Sequence, residues 1–491
     1  MDISGLFVKS QRGPNLIFYV LFIGITLVLL NLKILFLRHY LRTPKLNLDD
    51  TNISTSDVVQ RAERSNPNVP FVLWNRMDPR DFRVNTSCAL YVTPLEISFN
   101  NLYWQVQQTV DANLYFFGAY YDIRPLDGPV VRILATVDSR QAEKKSLFCQ
   151  IWFVETTPSF SQVSFHYLGN ENWVGKDVRM QPYMLTCKLP ANGEIPKSVS
   201  IVADRCDNAT NNLKVIYNQL PREEKKKAFA VCAKTLFFEN RDESFPTRLV
   251  QWMEMLRILG ASNISFYTFQ VGEDVKRVLN YYQDTGFAII FPITMPGSIV
   301  NVPELLEIYL RKHQREREAQ QLIHYNDCLY RNMYLFDYIV PLDVEELIVP
   351  VSTNSWHELF ALKTISDASN KSSAFLTHNK NVLYLLEEKN ASNESLRDFP
   401  RLRNEERNAM AEFKSFQNTK KVVLMREQEP KECFGACEMY VFRPEEARLQ
   451  RYKRSLSSKA NNVKTDKTLG KFKHELIENT NKVLKNVGFS P

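Results

Sequence analysis

No Walker-type glycine loop for cradling phosphates occurs in this sequence, and no dinucleotide fingerprint, no His-Glu-x-x-His helix and no Gly-x-Ser-x-Gly elbow. Its chemistry is therefore not that of P-loop hydrolases, Rossmann dehydrogenases, zinc proteases or serine hydrolases with those signatures. Basic repeats interleaved with aromatic residues are missing as well. The formal charge of +7 is lodged at one end, because residues 448–491 carry 11 Lys and Arg against 3 Asp and Glu, leaving −1 for everything before. That excludes a general nucleic-acid surface and reads as a solvated terminal segment. Beside "CFGAC" (433–437) there is no second cysteine pair at zinc-site spacing, so a disulfide, local or to other cysteines, is expected there.

What the chain has is apolar material in quantity. With 44% hydrophobic and 12% aromatic residues over 491 positions, it can build large cores in two to four domains. Leu16–Leu30 is uninterrupted and apolar, and the run continues past Asn31 and Lys33 to Leu37. About 20 such residues cross a bilayer. "FLRHYLR" follows where a signal peptide would show small residues, so 15–37 is expected to be a retained anchor. Lys9 and Arg12 before it, against Arg38, Arg42 and Lys45 after it, weakly favour the opposite orientation. All eight cysteines lie beyond the span, as do seven Asn-x-Ser/Thr sequons at Asn52, Asn85, Asn208, Asn263, Asn370, Asn390 and Asn393. Both fit an oxidising compartment. The expectation is a single-pass type II membrane protein with a cytosolic tail 1–14 and a polar stem 38–69.

Residues 70–225 offer short β-branched and aromatic runs, among them "NLYFFGAYYDI", "VVRILATV", "FCQIWFVE" and "SVSIVAD", separated by turn residues. They predict a β-rich lumenal domain, which Cys88, Cys149, Cys187 and Cys206 can cross-link in a pairing that sequence does not fix. From 226 to 455 the pattern becomes α/β. "AFAVCAKTLFF" reads as a buried strand, Pro246 opens a helix that stops at Gly260, and "NISFYTF", "DVKRVLNYYQD" and "FAIIFPI" follow as strand, helix and strand. Such alternation implies a parallel sheet with right-handed crossovers. A further helix starts at Pro303, its charged middle at 311–318 read as a solvated face, and residues 456–491 form a basic tail.

One stretch stands out. In "LFDYIVPLDVEELIVP" (335–350) an apolar run meets Asp343, Glu345 and Glu346 and resumes at once. Carboxylates so close repel one another, and something positive should answer them. Tyr338–Leu342 is expected to be the next buried strand, although Pro341 is unusual inside one. In open α/β sheets ligands gather beyond the carboxyl ends of strands, where these acids fall. In extended chain Asp343 and Glu345 point to the same side, and such hard oxygen ligands suit Mg²⁺ or Mn²⁺. The alternative is an acidic turn paired with surface Lys or Arg.

The segment from about 116 to 454 resembles glycosyltransferase family 92. The stretches that carry the resemblance, in order, are "AYYDIR" (119–124), "MLTCKLP" (184–190), "FAVCAKTL" (229–236), "LVQWMEMLRILGASNISFY" (249–267), "VLNYYQDTG" (278–286), "NDCLYRN" (326–332) and "LDVEELIVP" (342–350). The resemblance implies a GT-A type catalytic domain, lumenal and anchored in the Golgi membrane. It implies transfer of galactose from UDP-galactose to a glycan or glycoprotein acceptor, with inversion and with Mn²⁺ bridging the diphosphate and an Asp-x-Asp-type motif. Asp343 and Glu345 would then hold the metal, and Glu346, the spare carboxylate, is nominated as the base.

Two departures accompany the match. Glu345 stands where the family usually has Asp, adding a methylene. In "LQRYKRS" Arg451, Tyr452 and Lys453 stand where the family typically carries His-Tyr-Arg. Arg451 offers no acceptor for a metal but can meet phosphate directly as a cation. His324 and His378 are candidates for a replacement metal ligand, against the commoner role of a lone histidine as a hydrogen-bonded structural residue, and Trp252 reads as core. The alternative to an enzyme is a relative that keeps the fold and binds a glycan, a nucleotide or a partner.

Overall fold

The computed structural model describes residues 55–71, 88–139, 146–153, 157–170, 178–191, 193–238, 243–369, 371–385, 402–405, 413–454 and 469–489. The expected anchor at 15–37 and the sequons at Asn52, Asn85, Asn370, Asn390 and Asn393 lie outside them. Among the described residues no helix is long and apolar enough to cross a membrane. Two compact units divide the chain, Met1–Arg61 and Ala62–Pro491. The described end of the expected stem has structure of its own: Thr55–Ser65 is helix α1, with Asp57 in its first turn and Arg64 in its last, the charge order a helix dipole favours.

Eight strands follow: β1 (Gln105–Gln108), β2 (Asn113–Asp122), β3 (Val130–Val137), β4 (Phe148–Trp152), β5 (Ser159–Tyr167), β6 (Gln181–Lys188), β7 (Ser198–Val202) and β8 (Leu213–Ile216). They bond in the order β1-β2-β3-β6-β5-β4-β7-β8, and β8 returns to pair with β2, so the sheet closes into a barrel. Alternation of period two sends Leu114, Phe116, Ile133, Ile151, Leu185 and Ile201 inward. In β2 the phase slips at a bulge between Phe116 and Gly118. Ala119 and Tyr121 then face the interior while Phe117 and Tyr120 face out. Of the four cysteines here, Cys149 pairs with Cys187 and Cys88 with Cys206.

The chain then alternates strand and helix through β9 (Lys227–Ala233), α2 (Phe245–Leu259), β10 (Asn263–Thr268), α3 (Glu273–Asp284), β11 (Ala288–Pro292), α4 (Pro303–Lys312), α5 (Gln314–Asn332) and β12 (Phe336–Leu342). Gly260 ends α2 in the left-handed region, φ 105°, its N–H reaching the carbonyls of Leu256 and Arg257. Only glycine takes that conformation without strain. β9, β10 and β11 are parallel neighbours, and β12 joins the free side of β9, also in parallel. Pro341 is tolerated because β12 bonds on both sides only as far as Ile339; beyond it the antiparallel neighbour, Phe413–Asn418, no longer pairs and β9 alone remains. Asn263, expected as a sequon, begins β10 with 8% exposure and its amide on the Gly286 carbonyl, so it is closed to a glycan, whereas Asn208 is exposed.

The rest of the chain is β13 (Glu346–Pro350), α6 (Trp356–Ala361), α7 (Lys363–Ser369), β14 (Ala374–Leu385), β15 (Leu402–Glu405), β16 (Phe413–Asn418), β17 (Val422–Leu424), β18 (Glu432–Cys433), β19 (Met439–Val441), β20 (Ala447–Arg454) and α8 (Lys473–Asn486). Strands β16, β14, β20 and β13 extend the sheet beyond β12 in that order. The basic tail is not simply solvated: Leu476, Val483 and Leu484 of α8 enter the apolar core against α2. Their spacing is that of one helical face, hidden in the sequence by the lysines between them.

The helix foreseen from Pro303 is in fact two, broken at His313 (φ −113°, ψ 66°). Its charged middle is not wholly solvated either, because Glu316 is buried and accepts the N–H groups of Arg179 and Met180 at 2.7 and 3.1 Å. α5 lies between the barrel and the α/β sheet. Leu322, Ile323, Leu329 and Tyr330 share one core with Tyr115, Phe117 and Met184 of the barrel and Ala230, Tyr267 and Ile339 of the sheet. At its centre Asp327 accepts from the hydroxyls of Tyr120 and Tyr267 and pairs with Arg331 at 2.7 Å. A carboxylate fully removed from water stays only when so satisfied. Cys232–Cys328 ties α5 to β9, the central strand of the parallel group.

Candidate functional site

β9 is followed by two crossovers to one side, to β10 and β11, while the chain returns on its other side as β12. The winding direction reverses between β9 and β12, and the crevice outside the carboxyl ends of two such strands is where α/β sheets bind ligands. Lys234 and Thr235 follow β9, Asp343 follows β12, and all three line a cleft of about 580 Å³. Its other walls include the first half of α5, Arg426–Glu429, Glu345 and Arg451.

The acids do not lie in extended chain. Asp343–Glu346 is a tight turn closed by the Glu346 N–H on the Asp343 carbonyl at 2.9 Å. The turn is held from behind by Trp252, whose indole N–H donates to the Glu346 carbonyl at 2.8 Å. Asp343 and Glu345 still both reach the cleft. Glu346 does not: it is 2% exposed, and one of its oxygens accepts the Asp343 N–H at 3.1 Å. As nominated base it is misplaced; it positions the turn.

The charge that answers the acids comes from lysine. Lys414 of β16, 3% exposed, puts its ammonium 2.5 Å from Glu427, 2.9 Å from Glu346 and 3.4 Å from Asp343. Lys234 lies 3.1 Å from the other oxygen of Asp343 and 3.2 Å from Glu427. Arg451 sits opposite Glu346 in the β13–β20 register, 3.9 Å from Glu345 and 4.0 Å from Glu346. Burial opposes the charge on Lys414, but Asp343, Glu346 and Glu427 together raise its pKa well above the ordinary lysine range. Glu427, although burial works against it, is pulled below the usual carboxylate range by Lys414 and Lys234. Burial raises the pKa of Glu346 despite Lys414.

The helical wall has a different character. His324 is 1% exposed, its Nδ1 lies 2.8 Å from the Thr235 hydroxyl, and its ring stacks on Tyr267 at 5.1 Å. Burial lowers its pKa to about 3, so it is a neutral imidazole. His378 lies on β14, its side chain outside the described residues. Gln321 accepts the Thr235 N–H at 2.9 Å. Its amide nitrogen, both polar atoms of Gln320 and the hydroxyl of Tyr325 are buried and have no hydrogen-bond partner among the described residues. Each such group carries a penalty of roughly 1–3 kcal/mol unless something supplies the bond.

Of the residues that sequence reasoning nominates, Asp343, Glu345 and Arg451 line the cleft; it does not nominate Lys234, Lys414 or the α5 amides. Lys234 carries the same signal as Asp343, a charge set directly after a buried strand. Lys414 in "EFKSF" is a cation set between two phenylalanines.

Parallel α/β strands with a polar cleft at their reversal point define the class, an α/β fold with a ligand crevice at the carboxyl ends of its strands. The chain belongs to glycosyltransferase family 92, whose model matches residues 227–487, from the first residue of β9 to the residue that follows α8. No curated protein matches the sequence.

The residues present do not fit the divalent cation that the family resemblance implies. Both oxygens of Asp343 already face ammonium groups, which would repel a dication on the same oxygens. Glu345 faces Arg451, whose guanidinium has no acceptor to offer a metal. Among the described residues no group of three His, Cys, Asp or Glu side chains is placed to hold a metal.

Proposed function

We propose that the cleft binds a UDP-sugar, galactose being the sugar, and transfers it to a hydroxyl of a glycan or glycoprotein acceptor. The observation that carries this is the cleft itself: it lies at the reversal point of a family 92 sheet and is walled by cations and by buried amides that lack partners among the described residues. A uridine ring and its ribose supply the donors and acceptors that Gln320, Gln321 and Tyr325 lack. In the transfer the bond from the sugar C1 to the phosphate oxygen breaks and its electron pair stays on UDP. The acceptor oxygen attacks C1 from the opposite face and its proton passes to a carboxylate. Glu345 is the base in this reading. It lines the cleft, its side chain is 43% exposed, and its nearest cation is 3.9 Å away, whereas Asp343 and Glu427 are tightly ion-paired.

The setting proposed is the Golgi lumen, on a single-pass type II anchor at 15–37. All eight cysteines pair, as Cys88–Cys206, Cys149–Cys187, Cys232–Cys328 and Cys433–Cys437, which supports an oxidising compartment. The neutralised Asp343 favours a second reading, a family member that binds nucleotide or glycan without turnover.

The test is melting of the full chain in detergent with UDP, GDP and CMP, followed by UDP release from a panel of UDP-sugars with glycan acceptors. UDP alone should stabilise, Gln320→Ala should weaken that effect, and UDP-galactose should release UDP fastest. Stabilisation without release from any donor supports the second reading; no stabilisation by UDP ends both nucleotide readings.

A further inference from the structure

We propose that this cleft holds the diphosphate of its nucleotide sugar without a divalent cation: Lys414 takes the metal's place among Asp343, Glu346 and Glu427, and Lys234 and Arg451 meet the phosphates. The inference rests on the nucleotide-sugar reading above and adds how the charge of the leaving group is met. A diphosphate at the carboxyl end of β9 and β12 needs positive charge within a few ångströms. Carboxylates attract phosphate only through a cation held between them, and here that cation is already covalently part of the chain. Lys414 is 3% exposed and fixed by three carboxylates at 2.5 to 3.4 Å, so it neutralises the floor of the cleft without entering it. Lys234 has a side chain 39% exposed and Arg451 one 21% exposed; both line the cleft and both remain cationic across the physiological range. Their partners Asp343, Glu427 and Glu345 hold them at the cleft wall in the absence of ligand. The guanidinium plane of Arg451 suits two phosphate oxygens at once. On α5 the Gln320 amide, the Gln321 amide nitrogen and the Tyr325 hydroxyl, buried and without partners among the described residues, mark the same cleft as built for a polar ligand.

UDP is titrated into the full chain in detergent, once with Mn²⁺ and once with EDTA, and Mn²⁺ itself is followed by its paramagnetic resonance signal. UDP should bind with dissociation constants within about threefold of each other in the two buffers. The Mn²⁺ signal should be the same with and without protein. Lys234→Met, changed at a half-exposed side chain and checked for its fold by circular dichroism, should weaken UDP binding in EDTA by about 10- to 100-fold. UDP binding seen only with Mn²⁺, a protein-bound Mn²⁺ signal, or unchanged affinity in Lys234→Met overturns the metal-free site while leaving the transferase reading in place. No UDP binding in either buffer overturns the nucleotide reading, and this inference with it.

Discussion

Desolvating an ammonium costs several kcal/mol, and Lys414 persists in its buried place only because three carboxylate oxygens converge on it. The same low dielectric acts with the opposite result on His324, which has no ion pair among the described residues and is held neutral between Tyr267 and Thr235. Its folded pKa of about 3 lies below that of an exposed histidine, so the unfolded chain binds the proton more tightly. Its contribution to stability is therefore complete above about pH 6.5 and is lost as pH falls from there toward the folded value. Urea unfolding of the wild type should show a component falling by about 1.4 kcal/mol per pH unit between about pH 6 and 4. His324→Gln should lower stability at pH 7 and remove that component. An identical pH dependence in the two proteins would show that the imidazole is not buried neutral.

At the scale of elements, the bulge in β2 decides which residues of the barrel face α5. A Cβ on Gly118 would come within 2.5 Å of the Tyr120 hydroxyl, which is pinned by its bond to Asp327. Gly118→Val should thus cost about 1–3 kcal/mol or more in urea unfolding, by overpacking and by prising a donor from a buried carboxylate. A change under about 0.5 kcal/mol would mean the bulge relaxes. The bulge itself was not legible, since nothing in "NLYFFGAYYD" fixes where alternation slips. The β9–β11 region was legible almost residue by residue, because Pro246, Gly260 and Gly286 punctuate it and its strands are short apolar runs. β8 escaped notice because four residues give no period. α8 escaped because its lysines outweigh its apolar stripe. In the site, the acids announced themselves as charges in an apolar run, whereas their partners Lys234 and Lys414 lie 109 and 71 residues from Asp343. Only folding brings β9, β12 and β16 side by side.

Across the whole molecule, barrel and sheet in the second unit share one apolar layer with α5 between them, so the cleft wall is anchored to both. Trp104 adds a bond from its indole N–H to the Thr294 carbonyl at 2.9 Å, and Arg124 of the barrel end donates to the carbonyl of Val422 at 2.8 Å. Against this background the Cys232–Cys328 tie bears on the cleft more than any other disulfide, joining the strand that carries Lys234 to the helix that carries Gln320, His324 and Tyr325. The double change Cys232→Ala, Cys328→Ala should lower stability by about 2–5 kcal/mol and weaken UDP affinity. Unaltered UDP binding would show that packing alone sets the wall. A newly made chain whose sulfurs are still reduced holds the same residues with this wall untethered. The tie therefore makes the cleft a record of history, since a molecule that has not yet met an oxidant lacks the bond joining the strand and the helix that wall it.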